Sequence, residues 1–135
     1  MKKYKTLNHG KYLLRYHIIF SVKYRRNILE PYKSVIDDVF EEVEEKSDFH
    51  ILFKKTDGDH IHFCVEVPPN LTLVSVVRRM KQLSTFYFWQ KVNLKNYFWK
   101  ERTLWADGYF ITTIGEVSIS NLETYIEKQG IHPRG

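Results

Sequence analysis

Residues 50–67, in the middle of the chain, read HILFKKTDGDHIHFCVEV. The first six residues of this stretch are typical of a short strand, and residues 60–67 alternate with the period of a second strand. Between them, residues 56–59 contain an Asp-Gly pair, a dipeptide that tight hairpins favour. We therefore predict a β-hairpin over residues 50–67.

The segments on either side extend this hairpin into a sheet with helices. Upstream, residues 11–22 alternate like a strand, and residues 31–47 carry an apolar stripe at helical spacing. Downstream, Asn70 is a candidate N-cap for a helix over residues 71–88, and residues 107–114 resemble a fourth strand. The order β-α-β-β-α-β predicts an α+β fold of the ferredoxin-like or RRM-like kind, an antiparallel sheet with two helices on one face.

The C-terminal part predicts one further helix. Ser120 and Glu123 resemble a capping box at its start, and Gly130 followed by Pro133 would end it. No repeat, linker or shift in composition marks a boundary, so we expect one domain over residues 1–135.

The composition excludes several classes of protein. Hydrophobic residues make up 43% and aromatic residues 16% of the chain, which excludes a disordered protein. The lone cysteine, Cys64, excludes a disulfide framework and a cysteine-rich zinc module, and it suits a reducing compartment. Because no apolar run approaches the roughly 18 residues of a membrane span, we expect a compact, soluble, cytoplasmic domain with no membrane partner.

Charge is strongly segregated along the chain, although the formal net charge is only +5. Residues 1–29 carry eight Lys/Arg and no acid, and residues 70–105 carry seven bases against one acid. Residues 30–48, over the predicted first helix, carry eight acids and two lysines, which we interpret as a solvated helix face. Two basic blocks around an acidic helix favour a surface that binds a polyanion such as nucleic acid.

The second strand of the hairpin carries a histidine pair, His60 and His62. Alternation turns Ile61 and Phe63 towards the helices and leaves both histidines on the open face, with Cα atoms about 6.6 Å apart. Two imidazoles at that spacing can reach one metal ion. A His-x-His pair on a strand is nevertheless a weak signal, and a surface pair without a ligand is the simpler interpretation.

The predicted last helix carries Tyr125 and Gln129, which are four residues apart and so share a helix face. A helix laid over the open sheet face would bring this phenol and this amide to the two imidazoles. Taken alone, Tyr125 is better explained as a packed aromatic residue and Gln129 as a solvated surface residue.

In their order along the chain these motifs resemble the small single-tyrosine HUH transposases of bacterial and archaeal insertion sequences, over roughly residues 8–130. The resemblance is carried by YHIIF at residues 16–20 with KYRR at 23–26, by DHIHF at 59–63 and by TYIEKQ at 124–129. It implies that Tyr125, on the added C-terminal helix, is the nucleophile. It also implies that His60, His62 and Gln129 hold a divalent metal ion.

The same resemblance implies the partners. The substrate would be single-stranded DNA with hairpins near each end of the insertion sequence. The protein would be a homodimer in which the Tyr125 helix of one chain completes the site of the other.

The expected chemistry follows from the charge of the implied ligands. Two imidazoles and an amide oxygen are neutral, so a divalent ion keeps its full charge and acts as a Lewis acid on a phosphate. Mixed nitrogen and oxygen donors favour Mg²⁺ or Mn²⁺ over a structural zinc ion. A 5′-phosphotyrosine conserves the energy of the phosphodiester bond, so rejoining needs no nucleotide cofactor.

Basic and aromatic side chains near this site are candidates for DNA contacts. Most aromatic residues between 86 and 105 are expected to pack in the core or a dimer interface. The candidates for phosphate binding and base stacking are Lys23, Tyr24, Arg25 and Arg26 after the first strand, Lys54 on the strand paired with the histidine strand, and Arg78, Arg79 and Lys81 on the second helix.

Two other functions fit the same sequence. The topology also serves non-catalytic RRM-like nucleic-acid-binding modules, although His60, His62 and Glu66 lie where stacking aromatic residues would be expected. HUH chemistry also serves nickases and replication initiators, and palindromes flanking the gene would favour a transposase instead.

Overall fold

The computed structural model describes residues 14–114 of the chain. Its elements are β1 (Leu14–Ser21), α1 (Lys33–Glu45), β2 (His50–Asp57), β3 (His60–Val67), α2 (Leu73–Lys91) and β4 (Phe110–Ile114), with a short turn at Lys23–Arg25. Within these residues the four strands form one antiparallel sheet in the order β2-β3-β1-β4. The mixed α/β architecture and the predicted order β-α-β-β-α-β are confirmed. The helix predicted after Ser120 lies outside the described residues.

The two inner strands are β1 and β3. β1 pairs with β3 along its whole length and with β4 on its other side, while β3 also pairs with β2. α1 therefore connects two strands that are separated by β3, as in a split β-α-β unit. Side chains on β3 are supported by neighbouring strands on both sides, and all eight residues of β3 are buried.

The β2–β3 hairpin is tighter than predicted. Strand pairing continues to Asp57 and His60, which leaves a two-residue loop of Gly58 and Asp59. Gly58 has a φ of +66°, and a glycine with positive φ in the first loop position is typical of a type II′ turn. Thr56 and Asp57, predicted as turn residues, therefore belong to β2.

An extra residue, Leu52, interrupts the pairing of β2 with β3. Ile51 pairs with Val65 and Phe53 pairs with Cys64, so Leu52 forms a β-bulge. Ile51 packs against the main core, whereas Leu52 and Phe53 pack with Cys64 on the opposite face. After the bulge, each side chain of β2 therefore lies on the opposite face from the one that regular alternation from Ile51 would give.

Both helices pack on one face of the sheet around large apolar side chains. The Phe63 ring lies 5.2 Å from Phe20 of β1 and 4.7 Å from Phe40 of α1, between ring centroids. The indole Nε1 of Trp105 donates a 2.8 Å hydrogen bond to Ser84 Oγ, so this buried polar group has a partner. The helices therefore cover one face of the sheet, and neither helix packs on the opposite face.

α2 begins after Thr72, not after Asn70 as predicted. The Thr72 backbone is extended, and its Oγ1 accepts a 3.1 Å hydrogen bond from the Ser75 N–H, which makes Thr72 the N-cap. The helix continues to Lys91, past the predicted end at residue 88. Within residues 14–114, neither helix is long and apolar enough to cross a membrane.

Candidate active site

His60 and His62 lie side by side on the sheet face opposite the helices, which we call the histidine face. Their neighbours Ile61 and Phe63 point into the helix-side core, and the two imidazole centroids are 5.2 Å apart. The predicted placement of this pair on one face is therefore confirmed. Each histidine is only 5% exposed, which disfavours a simple surface pair.

Two carboxylates lie against the His60 ring. Its Nδ1 lies 2.9 Å from Asp59 Oδ1, and its Nε2 lies 3.3 Å from Asp57 Oδ2. Asp57 reaches the ring because it is the partner of His60 across the β2–β3 pair. Burial alone would raise the pKa of Asp59, but hydrogen bonds from Arg25 and His60 hold this pKa below its usual value. Asp59 therefore stays charged and fixes the ring.

His17, on β1, holds the His62 ring. His17 Nε2 lies 3.0 Å from His62 Nδ1, and the rings stack with centroids 5.3 Å apart. Burial lowers the pKa of His17 to about 4, so His17 is neutral at pH 7. When the shared proton is carried by His62 Nδ1, the Nε2 of His62 keeps the lone pair that a metal ligand needs.

Asp57, His60 and His62 form a cluster whose ligand atoms all lie within 4.8 Å of one another. Two imidazole nitrogens and a carboxylate oxygen are donors that suit a divalent first-row metal ion with open positions for other ligands. Cys64 lies on the same face, but burial raises the pKa of its thiol to about 11, so it is not a thiolate at neutral pH. The described residues thus fit a divalent cation. Tyr125 and Gln129 lie outside the described residues.

The predicted DNA-binding residues 23–26 lie next to this cluster. The N–H of Val22 donates a 2.8 Å hydrogen bond to the Asp59 carbonyl, and Arg25 Nε lies 2.7 Å from Asp59 Oδ2. The turn after β1 is thereby fixed to the residue that holds His60. Of the other predicted residues, Tyr24 and Arg26 are exposed and Lys23 pairs with Glu101 at 3.1 Å.

Lys54 does not face the histidines, contrary to the expectation from its strand. It is the cross-strand partner of Phe63 and so lies on the helix side, where its Nζ is 4.0 Å from Asp37 Oδ1. Lys55 is instead the partner of His62 and shares the histidine face. The bulge at Leu52 accounts for the difference, because it reverses the alternation along β2.

The predicted DNA-binding residues of α2 lie on the helix side of the sheet as well. Arg79 donates a 2.8 Å hydrogen bond to Ser47 Oγ, and Lys81 Nζ donates to the carbonyls of Ala106 and Gly108 at 2.9 and 2.6 Å. These two side chains connect α2 to neighbouring loops. Arg78, the third predicted residue of α2, is exposed, and it makes no such connection among the contacts of residues 14–114.

Comparison with known proteins gives the family. The family model described as "Transposase IS200 like" matches residues 10–129, most of this chain. The chain belongs to the IS200-like transposase family. The resemblance inferred from the sequence motifs is thereby confirmed at the level of the family.

Two transposases of bacterial insertion sequences are similar to this IS200-like transposase over most of their length. The transposase for insertion sequence element IS200 of Salmonella typhimurium is 27% identical over 126 residues, covering 93% of this chain and 82% of the relative. The ISDra2 transposase TnpA of Deinococcus radiodurans is 27% identical over 120 residues, covering 87% of this chain and 85% of the relative.

Two solved structures share the fold of this IS200-like transposase. A transposase structure from Deinococcus radiodurans R1 superposes with a TM-score of 0.71 at 24% identity, covering 96% of this chain and 98% of that one. A REP-associated tyrosine transposase bound to a REP hairpin has a TM-score of 0.58 at 12% identity, covering 84% of this chain and 62% of that one.

Sequence reasoning missed three residues of the site: His17, Asp57 and Asp59. Asp57 and Asp59 fall in the predicted turn over residues 56–59, and their closeness to His60 in the sequence is the one signal that carboxylates lie near an imidazole. His17 lies on β1, and its contact with His62 depends on the β1–β3 register, which the sequence of a single strand does not encode.

Acidification is expected to destabilise this IS200-like transposase through His17. The pKa of His17 is about 4 in the fold, against 6.5 for an unperturbed histidine. Between these values the unfolded chain binds more protons, so the free energy of unfolding falls as the pH drops, by at most about 3–4 kcal/mol. Urea unfolding at a series of pH values measures this slope. The slope should become shallower in His17→Gln, and an unchanged slope would contradict the assignment.

Proposed function

We propose that this IS200-like transposase cleaves and rejoins single-stranded DNA at insertion-sequence ends, with Tyr125 as nucleophile and with a divalent metal ion held by His60 and His62. The supporting observation is how the imidazoles are held: Asp59 contacts Nδ1 of His60, and His17 contacts Nδ1 of His62. Outer partners at one ring nitrogen are typical of ligating histidines, because they aim the other nitrogen at the metal. Two rings held in this way on one strand favour a shared ion.

We propose Asp57 as a further ligand, with Gln129 as the amide ligand. Asp57 Oδ2 already lies 3.3 Å from His60 Nε2, so both atoms point into the same space. A carboxylate strengthens binding of a cation relative to the neutral ligand set expected from the sequence, and it suits Mn²⁺ or Mg²⁺. When bound, the ion supplies positive charge that polarises the scissile phosphate.

In the proposed reaction the phenolic oxygen of Tyr125 attacks the scissile phosphorus. A bond forms between this oxygen and phosphorus, the bond from phosphorus to the 3′ oxygen breaks, and a 5′-phosphotyrosine remains. The phenolic proton leaves to solvent, and the departing 3′ oxygen takes up a proton to become a hydroxyl. Attack of a 3′-hydroxyl on the phosphotyrosine reverses these steps and joins two strands, without ATP or another nucleotide cofactor.

We propose DNA hairpins near the element ends as the recognised feature of the substrate. The support is the fold shared with the REP-associated transposase that is bound to a REP hairpin. Exposed Tyr24 and Arg26 beside the histidine cluster suit contacts with bases and phosphates. We further propose a homodimer in which the Tyr125 helix of one chain completes the site of the other.

The proposed function is tested by covalent trapping. Protein is incubated with Mn²⁺ and labelled single-stranded DNA that carries the flanking palindromes of the gene, and the products are separated under denaturing conditions. We expect a labelled protein band that disappears when EDTA is added or when the DNA is a perfect duplex. Salt-sensitive DNA binding without a covalent band under any of these conditions would instead favour a non-catalytic binding module.

Asp57→Asn is expected to weaken Mn²⁺ binding by about one to two orders of magnitude, because the neutral amide removes a negative charge while keeping the shape of the side chain. Calorimetric titration with Mn²⁺ measures the effect. The matched control is Asp48→Asn, an exposed aspartate in the turn before β2 that is remote from the histidine cluster. Equal Mn²⁺ affinities of the two variants would exclude Asp57 as a ligand.

A further inference from the structure

Two exposed aromatic rings line one surface depression beyond the end of β1. Tyr24 is 65% exposed and Trp99 is 75% exposed. Together with Arg26 and Lys100 they line a surface depression of about 210 Å³, which we call the Tyr24–Trp99 surface. Exposed rings that share one depression indicate an interaction site better than single scattered ones do.

The backbone at Tyr24 is held in an unfavourable conformation. Tyr24 and Arg25 have φ values of +61° and +54°, in the left-handed region that such residues rarely adopt. Hydrogen bonds from the Val22 N–H and from Arg25 Nε to Asp59, at 2.8 and 2.7 Å, hold the turn in place. Strain that is enforced in this way is concentrated at functional sites, and here it accompanies an exposed ring.

The charge around the two rings is positive. Lys23 Nζ lies 5.7 Å from the centre of the Tyr24 ring, and Lys100 Nζ lies 5.0 Å from the centre of the Trp99 ring. Arg26 adds an exposed guanidinium, while the one acid in the described lining, Glu101, is paired with Lys23 at 3.1 Å. Rings flanked by cations match a ligand with flat aromatic groups on an anionic backbone.

The surface also lies next to the candidate metal cluster. Ser21, the last residue of β1, is the cross-strand partner of His60, and the strained turn starts two residues later. Asp59 bridges the two places, because it contacts both Arg25 and His60. A strand whose phosphate reaches His60 would therefore pass the two rings.

We propose that the Tyr24–Trp99 surface stacks an unpaired nucleobase of the DNA strand next to the scissile phosphate, an inference that rests on the proposed function for the identity of that strand. Stacking on a side chain needs a base whose face is open, so the surface selects single-stranded over duplex DNA. Every base has such a face, so the contact tolerates any sequence.

The proposal is tested with a deoxythymidine homopolymer, which forms no hairpin, by fluorescence anisotropy at constant salt. Tyr24→Ala and Trp99→Ala are each expected to weaken binding about tenfold, as for loss of one base–aromatic stack. Trp99→Phe should retain most of the affinity. The control is Phe86→Ala, which removes another exposed ring on α2, and it should bind like the unchanged protein. Equal affinities of Phe86→Ala and Trp99→Ala would overturn the proposal.

Tyr24→Asn separates stacking from folding. Asparagine tolerates a positive φ, so this variant should melt at a higher temperature than the unchanged protein. The same variant should nevertheless bind the homopolymer about tenfold more weakly, because the ring is gone. Undiminished binding by a variant that is at least as stable would overturn the stacking role.

Failure of this proposal is distinguishable from failure of the proposed function. The covalent band of the unchanged protein and of Phe86→Ala reports on the chemical step, whereas the homopolymer affinity of Trp99→Ala reports on stacking. A normal covalent band from the unchanged protein together with unchanged homopolymer affinity in Trp99→Ala would overturn the stacking proposal alone. Tenfold weaker homopolymer binding in Trp99→Ala, with no covalent band from any variant, would support stacking and overturn the proposed function.

Discussion

Tyr125→Phe is expected to bind hairpin-bearing single-stranded DNA as tightly as the unchanged protein and to form no covalent adduct with it. The substitution removes one hydroxyl group and keeps the ring, so packing changes little while the attacking oxygen is lost. Without that oxygen no bond to phosphorus can form from this residue. Denaturing electrophoresis of labelled DNA measures the adduct, and anisotropy measures binding.

The matched control for this loss is Tyr87→Phe. Tyr87 is a half-buried residue of α2, on the other side of the sheet from the histidine face, and it also loses only a hydroxyl. It should form the adduct at the normal level. A covalent band from Tyr125→Phe would refute the assigned nucleophile and direct attention to the exposed tyrosines Tyr24 and Tyr109.

His62→Ala is expected to weaken Mn²⁺ binding by about 100-fold or more and to abolish cleavage at low metal concentration. Loss of an outer partner already costs about 10- to 100-fold in metal affinity, and loss of the ligand itself should cost at least as much. Calorimetric titration with Mn²⁺ measures binding, and the covalent assay across a range of Mn²⁺ concentrations measures activity.

His50→Ala is the matched control for the metal role. His50 lies on β2, where its Nδ1 is paired with Glu44 of α1 at 2.5 Å, at the end of the strand remote from Asp57. It should bind Mn²⁺ like the unchanged protein. If His62→Ala is folded by circular dichroism and binds Mn²⁺ as tightly as His50→Ala, the metal role of His62 is excluded.

The order of elements was predictable because local patterns encode it. The alternation at residues 60–67 and the helical stripe at 31–47 each reflect burial on one face, and burial produced the expected strand and helix. The ends were less predictable, since they depend on single hydrogen bonds. Thr72 and Asn70 are both good N-caps, and the bond from the Ser75 N–H to Thr72 distinguishes them in the structure.

The histidine pair was predictable, but its surroundings were not. His60 and His62 are two residues apart, so strand geometry alone places them together. His17 is 45 residues from His62 in the chain, and their contact requires the register between β1 and β3. The partners of the basic residues pose the same difficulty, because Arg25 with Asp59 and Lys81 with Ala106 are tertiary contacts. The roles of Tyr125 and Gln129 stay predictions.

The bulge at Leu52 lets the two ends of β2 pair with β3 in two different registers. At one end of β2, the pairing with β3 places Ile51 in the core. At the other end, the pairing places Asp57 opposite His60 beside the hairpin loop, and the register of the two ends differs by one residue. Because a shift of one residue exchanges the faces of a strand, a chain without Leu52 would have to misplace one end or the other. Either Ile51 would leave the core, or the Asp57 carboxylate would turn away from the imidazoles. The one additional residue in β2 therefore allows Ile51 to pack in the core while the Asp57 carboxylate stays beside the imidazoles.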